Sequence, residues 1–371
     1  MADRERGIPS SSYIPTLDGW RAIAIIAVLF CHGLDENRYP FAVALGYGGV
    51  LLFFSISGFL ITSRLFDENE KTGRISFRNF YIRRAFRILP PAFFFLLTIA
   101  VLGLTHIIPF SLVEILKALF FVRNYAPMDF SRAATWYSAH FWSLSVEEHF
   151  YLLWPAILAL AGIKRGRWVA PALALTTILW RSIDEKYGFV VHLFHAPYLA
   201  HSWSRTDYLA DVLLWGCTLA LWLGRKPWKP IFRQASSIVG VALILLIGFT
   251  LFYGTGHGRS FMYLALALPV GCTATAPRSI LGRILEFAPL RYIGKLSYSL
   301  YLWQQLFFHT GMEPLRFQRA PWNVVFIVAC ACISYYCVEK PIIRLGHALT
   351  KRPRSKRDVD LGAPKETAEA T

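Results

Sequence analysis

Residues 17–34 read LDGWRAIAIIAVLFCHGL, and this stretch decides what kind of protein the chain is. Between Arg21 and His32 every residue is apolar. A helix over 17–34 is about 27 Å long, close to the ~30 Å hydrocarbon thickness of a bilayer. Apolar stretches of similar length recur at 45–63, 88–105, 145–162, 168–183, 206–223, 236–253, 259–275, 290–310 and 321–341. The composition agrees: 55% of the 371 residues are hydrophobic and 17% are charged, against about a quarter charged in soluble domains. The sequence therefore predicts an all-α polytopic membrane protein of about ten transmembrane helices. A shorter amphipathic piece at 111–122, with Ser111, Glu114 and Lys117 among Leu, Ile and Phe, reads as interfacial or re-entrant.

The net charge of +16 would suit a nucleic-acid binder, but its distribution argues otherwise. Threading the spans from a cytoplasmic N-terminus assigns 26 of the 39 basic residues to cytoplasmic segments, 10 to outer segments and three (Arg21, Lys295, Lys340) to spans. That asymmetry follows the positive-inside rule. It places both termini in the cytoplasm and leaves the lipid bilayer, not nucleic acid, as the partner. The basic loops can also attract anionic lipids or anionic ligands.

The six cysteines all fall in apolar stretches and are expected to be small buried hydrophobes rather than disulfides or metal ligands. Ala42-Val43-Ala44 resembles a signal-peptide cleavage site, but Asp18 and Arg21 at the mouth of the first span argue for retention. Residues 1–11 are read as a cytoplasmic segment, 12–346 as the membrane domain and 347–371 as a disordered cytoplasmic tail. The longest charged cytoplasmic loop is expected at 64–88. With no soluble catalytic segment in view, the chemistry is expected from the membrane domain and its loops.

Ionisable groups in a span are costly and become functional candidates. Arg21 and His32 are eleven residues apart, three turns plus about 20°, so they share a helix face about 16 Å apart along the axis. Singly, the arginine could snorkel to lipid phosphates and the histidine could bond a neighbouring helix. Together they suit a tunnel for an elongated anionic ligand, with an imidazole base further in. Arg83, Arg84 and Arg87 precede Ile88-Leu89-Pro90-Pro91. Arg84 and Arg87 can converge on one phosphate, or the three can be an ordinary stop-transfer cluster.

In FWSLSVEEHFYLLWP (141–155) two adjacent carboxylates open an apolar run. Ser145-x-x-Glu148 would satisfy a capping box. Alternatively Glu147 or Glu148, at a depth similar to His32, orients its imidazole. GGVLLFFSISGFLIT (48–62) reads as a close-packing helix. Lys295 to Gln305 is an unusually polar opening to a span, and Arg205 is expected to pair with Asp207. His192, His195 and His201 fit no strong metal pattern, so no metal site is expected.

Taken together, these motifs resemble the acyltransferase-3 family of membrane O-acyltransferases over roughly residues 12–346. LDGWRAIAIIAVLFCHG is similar to its first helix, GGVLLFFSISGFLI to its second and NFYIRRAFRILPP to its cytoplasmic Arg-x-x-Arg segment. FWSLSVEEHFYLLWP, GKLSYSLYLW and YYCVEKPIIR resemble later elements in the same order. The resemblance implies transfer of an acyl group, commonly acetyl from acetyl-CoA, to a hydroxyl of a cell-surface or exported glycan or glycolipid. It implies a bacterial inner-membrane location and no permanently bound cofactor.

Carried over residue by residue, His32 would be the catalytic histidine and Arg21 its motif partner. Arg84 and Arg87, with Arg83 and Arg21, would handle CoA. His32 is expected to take the acceptor's proton with Glu147 or Glu148 orienting it, and an acyl-histidine intermediate stays open. Trp142, Tyr298, Gln304 and Asp18 are the candidate substrate-binding residues. Two positions depart from the family pattern: Gln304 stands where His is frequent, and His149 where Gln is frequent. The competing readings are a proton-coupled transporter or flippase, an acyltransferase using succinyl or another donor, and a receptor or scaffold.

Overall fold

The computed structural model describes residues 13–34, 39, 41–128, 133–199, 203–223, 258–277, 279–308 and 315–350. These residues are helical throughout, with short connections and no strand among them. Helix α1 spans Pro15–Gly33 and opens on proline, whose missing N–H costs nothing in a first turn. It is followed by α2 (Phe41–Thr72) and α3 (Phe77–Leu104). Next come the short α4 (Leu112–Leu119) and α5 (Ala133–Ala139), then α6 (Phe141–Tyr187), α7 (Phe189–Phe194) and α8 (Thr206–Leu223). The remaining elements are α9 (Gly258–Thr275), α10 (Ile280–Leu285), α11 (Ala288–Phe307), α12 (Trp322–Ile333) and α13 (Lys340–Leu349).

Five stretches are long and apolar enough to cross a membrane: Pro15–Gly33, Phe41–Thr72, Phe77–Leu104, Ala134–Tyr187 and Trp322–Leu349. The chain is thus a multi-pass membrane protein. The span read at 236–253 lies outside the described residues, as do the first twelve residues and the tail from 351.

Several expectations change. The charged loop read at 64–88 is mostly helix, because α2 runs on to Thr72 and α3 starts at Phe77. Leu65 and Phe80 are buried there, so packing carries both helices past the apolar spans. Ser76 caps α3 by accepting from the Asn79 amide at 3.4 Å. The spans read at 145–162 and 168–183 belong to one helix broken at Gly162, which has φ 72° and ψ 153°. Lys164, Arg165 and Arg167 therefore lie on helical turns rather than in a loop. The capping box at Ser145 does not form: α6 begins at Phe141, and the Ser145 hydroxyl donates to the Phe141 carbonyl at 2.8 Å. A turn of π-helix (Ser334–Glu339) joins α12 to α13, so the last helix passes the expected boundary at 346. Cys217 and Cys272 are buried as expected, but Cys337 is exposed.

Helix α1 packs on α2 and on α11, α2 packs on α8, and α8 packs on α6. Apolar residues are exposed on the outer faces of α3 (Phe93, Leu97, Val101), α6 (Leu152, Leu153, Leu160) and α12 (Val324, Val325, Val328), as lipid-facing surfaces require. Polar pairs pin α6 to α8. Arg205 bonds Asp207 as expected and also Asp184 at 2.7 Å, and Arg181 pairs with Asp211 at 3.1 Å.

The α2–α8 contact depends on glycine. A Cβ at Gly58 would lie 2.0 Å from the Leu213 carbonyl oxygen, and one at Gly216 would lie 2.3 Å from that of Ser55. The two backbones are too close to part without separating the helices. Gly58→Leu is expected to destabilise the protein by about 1–3 kcal/mol or more, read as a lowered unfolding temperature in detergent. An unchanged unfolding temperature would contradict this packing.

Candidate active site

His32 projects from the last turn of α1 into a chamber of about 660 Å³ between α1, α2, α5 and α11, lined also by Tyr47, Trp136, His140 and Trp142. The expected carboxylate partner is not there. Gln304 of α11 lies against the imidazole, with Oε1 2.7 Å from His32 Nδ1. Gln304 Nε2 donates to Gln305 Oε1 at 3.1 Å, and Gln305 Nε2 donates to the Trp136 carbonyl at 3.0 Å.

The direction of this chain is fixed at its far end. A backbone carbonyl only accepts, so Gln305 must present its NH₂ to Trp136 and its oxygen to Gln304. Gln304 must then turn its own oxygen to His32. His32 therefore carries its proton on Nδ1, and Nε2 keeps a lone pair, the form a general base needs. Trp136 stands edge-on to the imidazole, centroids 5.5 Å apart, and its Nε1 donates to the carbonyls of Gln305 and Phe308 at 3.0 and 2.9 Å. Gln304 and Gln305 are buried, so the relay is shielded from competing water.

Val50 and Tyr301 line this chamber and also a smaller cavity of about 80 Å³, the neck. Arg21, Arg84, Arg87 and Glu147 meet in the neck, with Tyr298 on its wall. Glu147 thus lies at the arginine end of α1 rather than at the depth of His32. Because α6 starts at Phe141, Glu147 is about 9 Å along the helix from its first residue. Its oxygens accept from Ser57 Oγ at 3.0 Å and from the Tyr151 hydroxyl at 2.6 Å. Arg84 lies over the Tyr151 ring, 4.9 Å from its centre. Glu148 does not line the neck, and its Oε1 is buried without a hydrogen-bond partner among the described residues. Arg83 points away, toward Glu68 at 3.7 Å, because adjacent helical side chains diverge by about 100°. The Tyr298 hydroxyl is committed to the Ile88 carbonyl at 2.8 Å.

Arg21 and Arg87 also line a third cavity, of about 300 Å³, that carries Arg64 and Lys295 as well as Asp18 and Glu339. Asp18 accepts from the Tyr13 hydroxyl and stands 3.5 Å from Arg21, so it holds the arginine in place. Glu339, brought in by the π-turn, accepts from Ser299 at 3.0 Å. The three cavities follow one face of α1 in sequence, from Asp18 past Arg21 to His32, matching the shared face read from the eleven-residue spacing. His149 lies apart, stacked on Tyr125 and 2.8 Å from Thr206 Oγ1.

Residues 14–339 match the acyltransferase-3 family, an acyltransferase domain, and the chain belongs to that family. It is 30% identical over 372 residues to the peptidoglycan O-acetyltransferase OatA of Listeria monocytogenes, an alignment covering 91% of this chain and 57% of that protein. It is also 30% identical over 366 residues to the O-acetyltransferase OatA of Staphylococcus aureus, covering 91% of this chain and 58% of that one. The chain spans a little over half the length of these curated relatives. No solved structure matches it.

Sequence reasoning did not single out Trp136, His140 or Tyr151. Tyr151 carried a usable signal, four residues after Glu147 on one helix. Nothing in the local sequence marked the other two. The hydrogen-bond relay makes a direct prediction. In ¹⁵N-histidine-labelled protein, His32 is expected as the Nδ1–H tautomer, and Gln304→Leu is expected to shift it toward Nε2–H. An unshifted ¹⁵N spectrum in that variant would show that Gln304 does not set the tautomer.

Proposed function

We propose that the protein is a membrane O-acyltransferase that moves an acetyl group from acetyl-CoA to a hydroxyl of a cell-wall glycan. The observation that carries this reading is the line of cavities along α1, arginines at one end and a His32 lone pair at the other. The names of the relatives support acetyl as the group and peptidoglycan as the acceptor class. In the accompanying topology, about ten spans place both termini and the arginine-lined mouth in the cytoplasm, following the basic-residue bias.

The phosphates of CoA meet Arg21, Arg64, Arg87 and Lys295 at the mouth, where these cations outnumber Asp18 and Glu339. Arginine forks suit phosphate oxygens. In this reading the small cavity of about 80 Å³ between the other two takes the slender arm of the donor rather than a sugar. The pantetheine chain is that arm. From Arg21 to His32 it has about 16 Å to cover. Glu147 sets the arginine geometry in the neck rather than touching the imidazole. On the far side, Tyr47, Trp142 and Trp203 form an aromatic wall, with the Trp142 and Trp203 centroids 4.9 Å apart, suited to stacking against sugar faces.

In the reaction the acceptor hydroxyl gives its proton to His32 Nε2 as its oxygen bonds to the thioester carbonyl carbon. The carbon–sulfur bond then breaks. The departing thiolate takes the proton from the imidazolium, which restores His32 and releases CoA.

Purified protein is expected to release CoA thiol from acetyl-CoA when peptidoglycan fragments are supplied. His32→Ala should lose at least about 100-fold of that rate, as expected for a general base. Arg84→Ala and Arg87→Ala should each weaken acetyl-CoA binding about tenfold or more, read by calorimetry. Tight binding of intact acetyl-CoA without release, equal in parent and His32→Ala, would sink the chemistry. Absence of binding would favour glycan transport instead.

A further inference from the structure

His140 stands at the junction of α5 and α6 and lines the chamber that holds His32. It is 4% exposed, yet neither Nδ1 nor Nε2 has a hydrogen-bond partner among the described residues. A neutral imidazole carries one N–H and one lone pair. Burying both unmatched forfeits two hydrogen bonds, and buried polar groups in native proteins are otherwise nearly always paired. Packing alone does not account for the residue. The ring is wedged against Phe95, Phe141 and Tyr301, with centroids 5.2, 4.9 and 5.5 Å away. A phenylalanine would fill that slot without the polar cost.

The backbone of His140 is also fixed. The Tyr301 hydroxyl donates to its carbonyl at 2.9 Å, and Ser143 Oγ lies 2.6 Å from that hydroxyl. Ser143 and Tyr301 are thereby committed to each other and to His140. The imidazole is left at the wall of the chamber with no hydrogen-bond partner for its N–H among the described residues.

We infer that His140 is a second catalytic residue, whose ring N–H bonds the carbonyl oxygen of the bound acyl donor and holds the negative charge that collects there. This rests on the acyl-transfer reading above. As the acceptor oxygen bonds to the carbonyl carbon, the C=O electron pair moves onto oxygen, and His32 takes the hydroxyl proton. The pair returns to carbon as the carbon–sulfur bond breaks, and the thiolate leaves with the proton from His32. His140 keeps its own proton throughout. The two histidines thus divide the work: the Gln304 relay makes one a base, and the other, with no hydrogen-bond partner among the described residues, is left to donate. A fixed donor does not need to reorient as charge develops.

The test compares the full-length protein with His140→Phe, which keeps the ring packing, and His140→Gln, which keeps a donor. Turnover with acetyl-CoA and peptidoglycan fragments is measured alongside the acetyl-CoA dissociation constant. His140→Phe is expected to lose about 100-fold in kcat while donor affinity falls by no more than about tenfold, and His140→Gln to recover at least tenfold of the lost kcat. Retained donor binding also verifies that the variant is folded. A second readout uses S-acetonyl-CoA, an unreactive ketone, labelled with ¹³C at the carbonyl. Its bound signal should move downfield in the parent and lose that shift in His140→Phe. If His140→Phe keeps full turnover or the shift persists, His140 is structural and the acyl-transfer reading stands. If the parent neither binds acetyl-CoA nor transfers acetyl, that reading falls and the role of His140 falls with it.

Discussion

The bond between His32 Nδ1 and Gln304 joins the first helix to α11 across 272 residues of sequence, and the geometry of the chamber depends on it. Without it the imidazole could rotate or change tautomer, and the lone pair would no longer face the cavity. The bond is held from behind by buried amides that end on the Trp136 carbonyl. Trp20 adds a further tie beneath it, donating to Thr273 of α9 at 2.9 Å. α1 is thus fixed by polar bonds from separate helices at both levels. Polar contacts inside a membrane domain define such a register where apolar packing, with lipid as its competitor, discriminates less.

The arginine end is organised differently. In the proposed reaction the charges there are the recognition elements, and the protein would have to hold them apart and aimed inward. Asp18 restrains Arg21, the Tyr151 ring supports Arg84, and Ser57 with Tyr151 fixes Glu147. Each partner is polar or aromatic enough to steady a cation, and none neutralises all of them. A fully paired arginine cluster would have no charge left for a phosphate.

Much of this was legible in the sequence because it followed from periodicity within one helix. The shared face of Arg21 and His32 needed only the eleven-residue spacing, and Arg84 with Arg87 needed only a helical i,i+3 relation. Relations between helices were not legible. The starting point of α6 moved Glu147 to the arginine end, and no local pattern in 141–155 announced that α6 begins at Phe141. Gln304 was noticed as a departure from the family pattern, but its role emerged only when α11 packed on α1. Arg83 looked equivalent to Arg84 until the helix turned it toward Glu68. His140 carried no sequence signal at all, since it stands out only in having no hydrogen-bond partner among the described residues.

The small cavity between mouth and chamber has a further consequence for bioenergetics. If the donor enters past the small cavity of about 80 Å³ that lies between two wider ones, the proposed reaction would be a group translocation, in which two carbons cross the barrier while donor and acceptor stay on their own sides. The free energy of the cytoplasmic thioester would then drive modification of the envelope without exporting a nucleotide. A neck threaded by the donor is also plugged by it, so the membrane would keep its ion gradients during turnover.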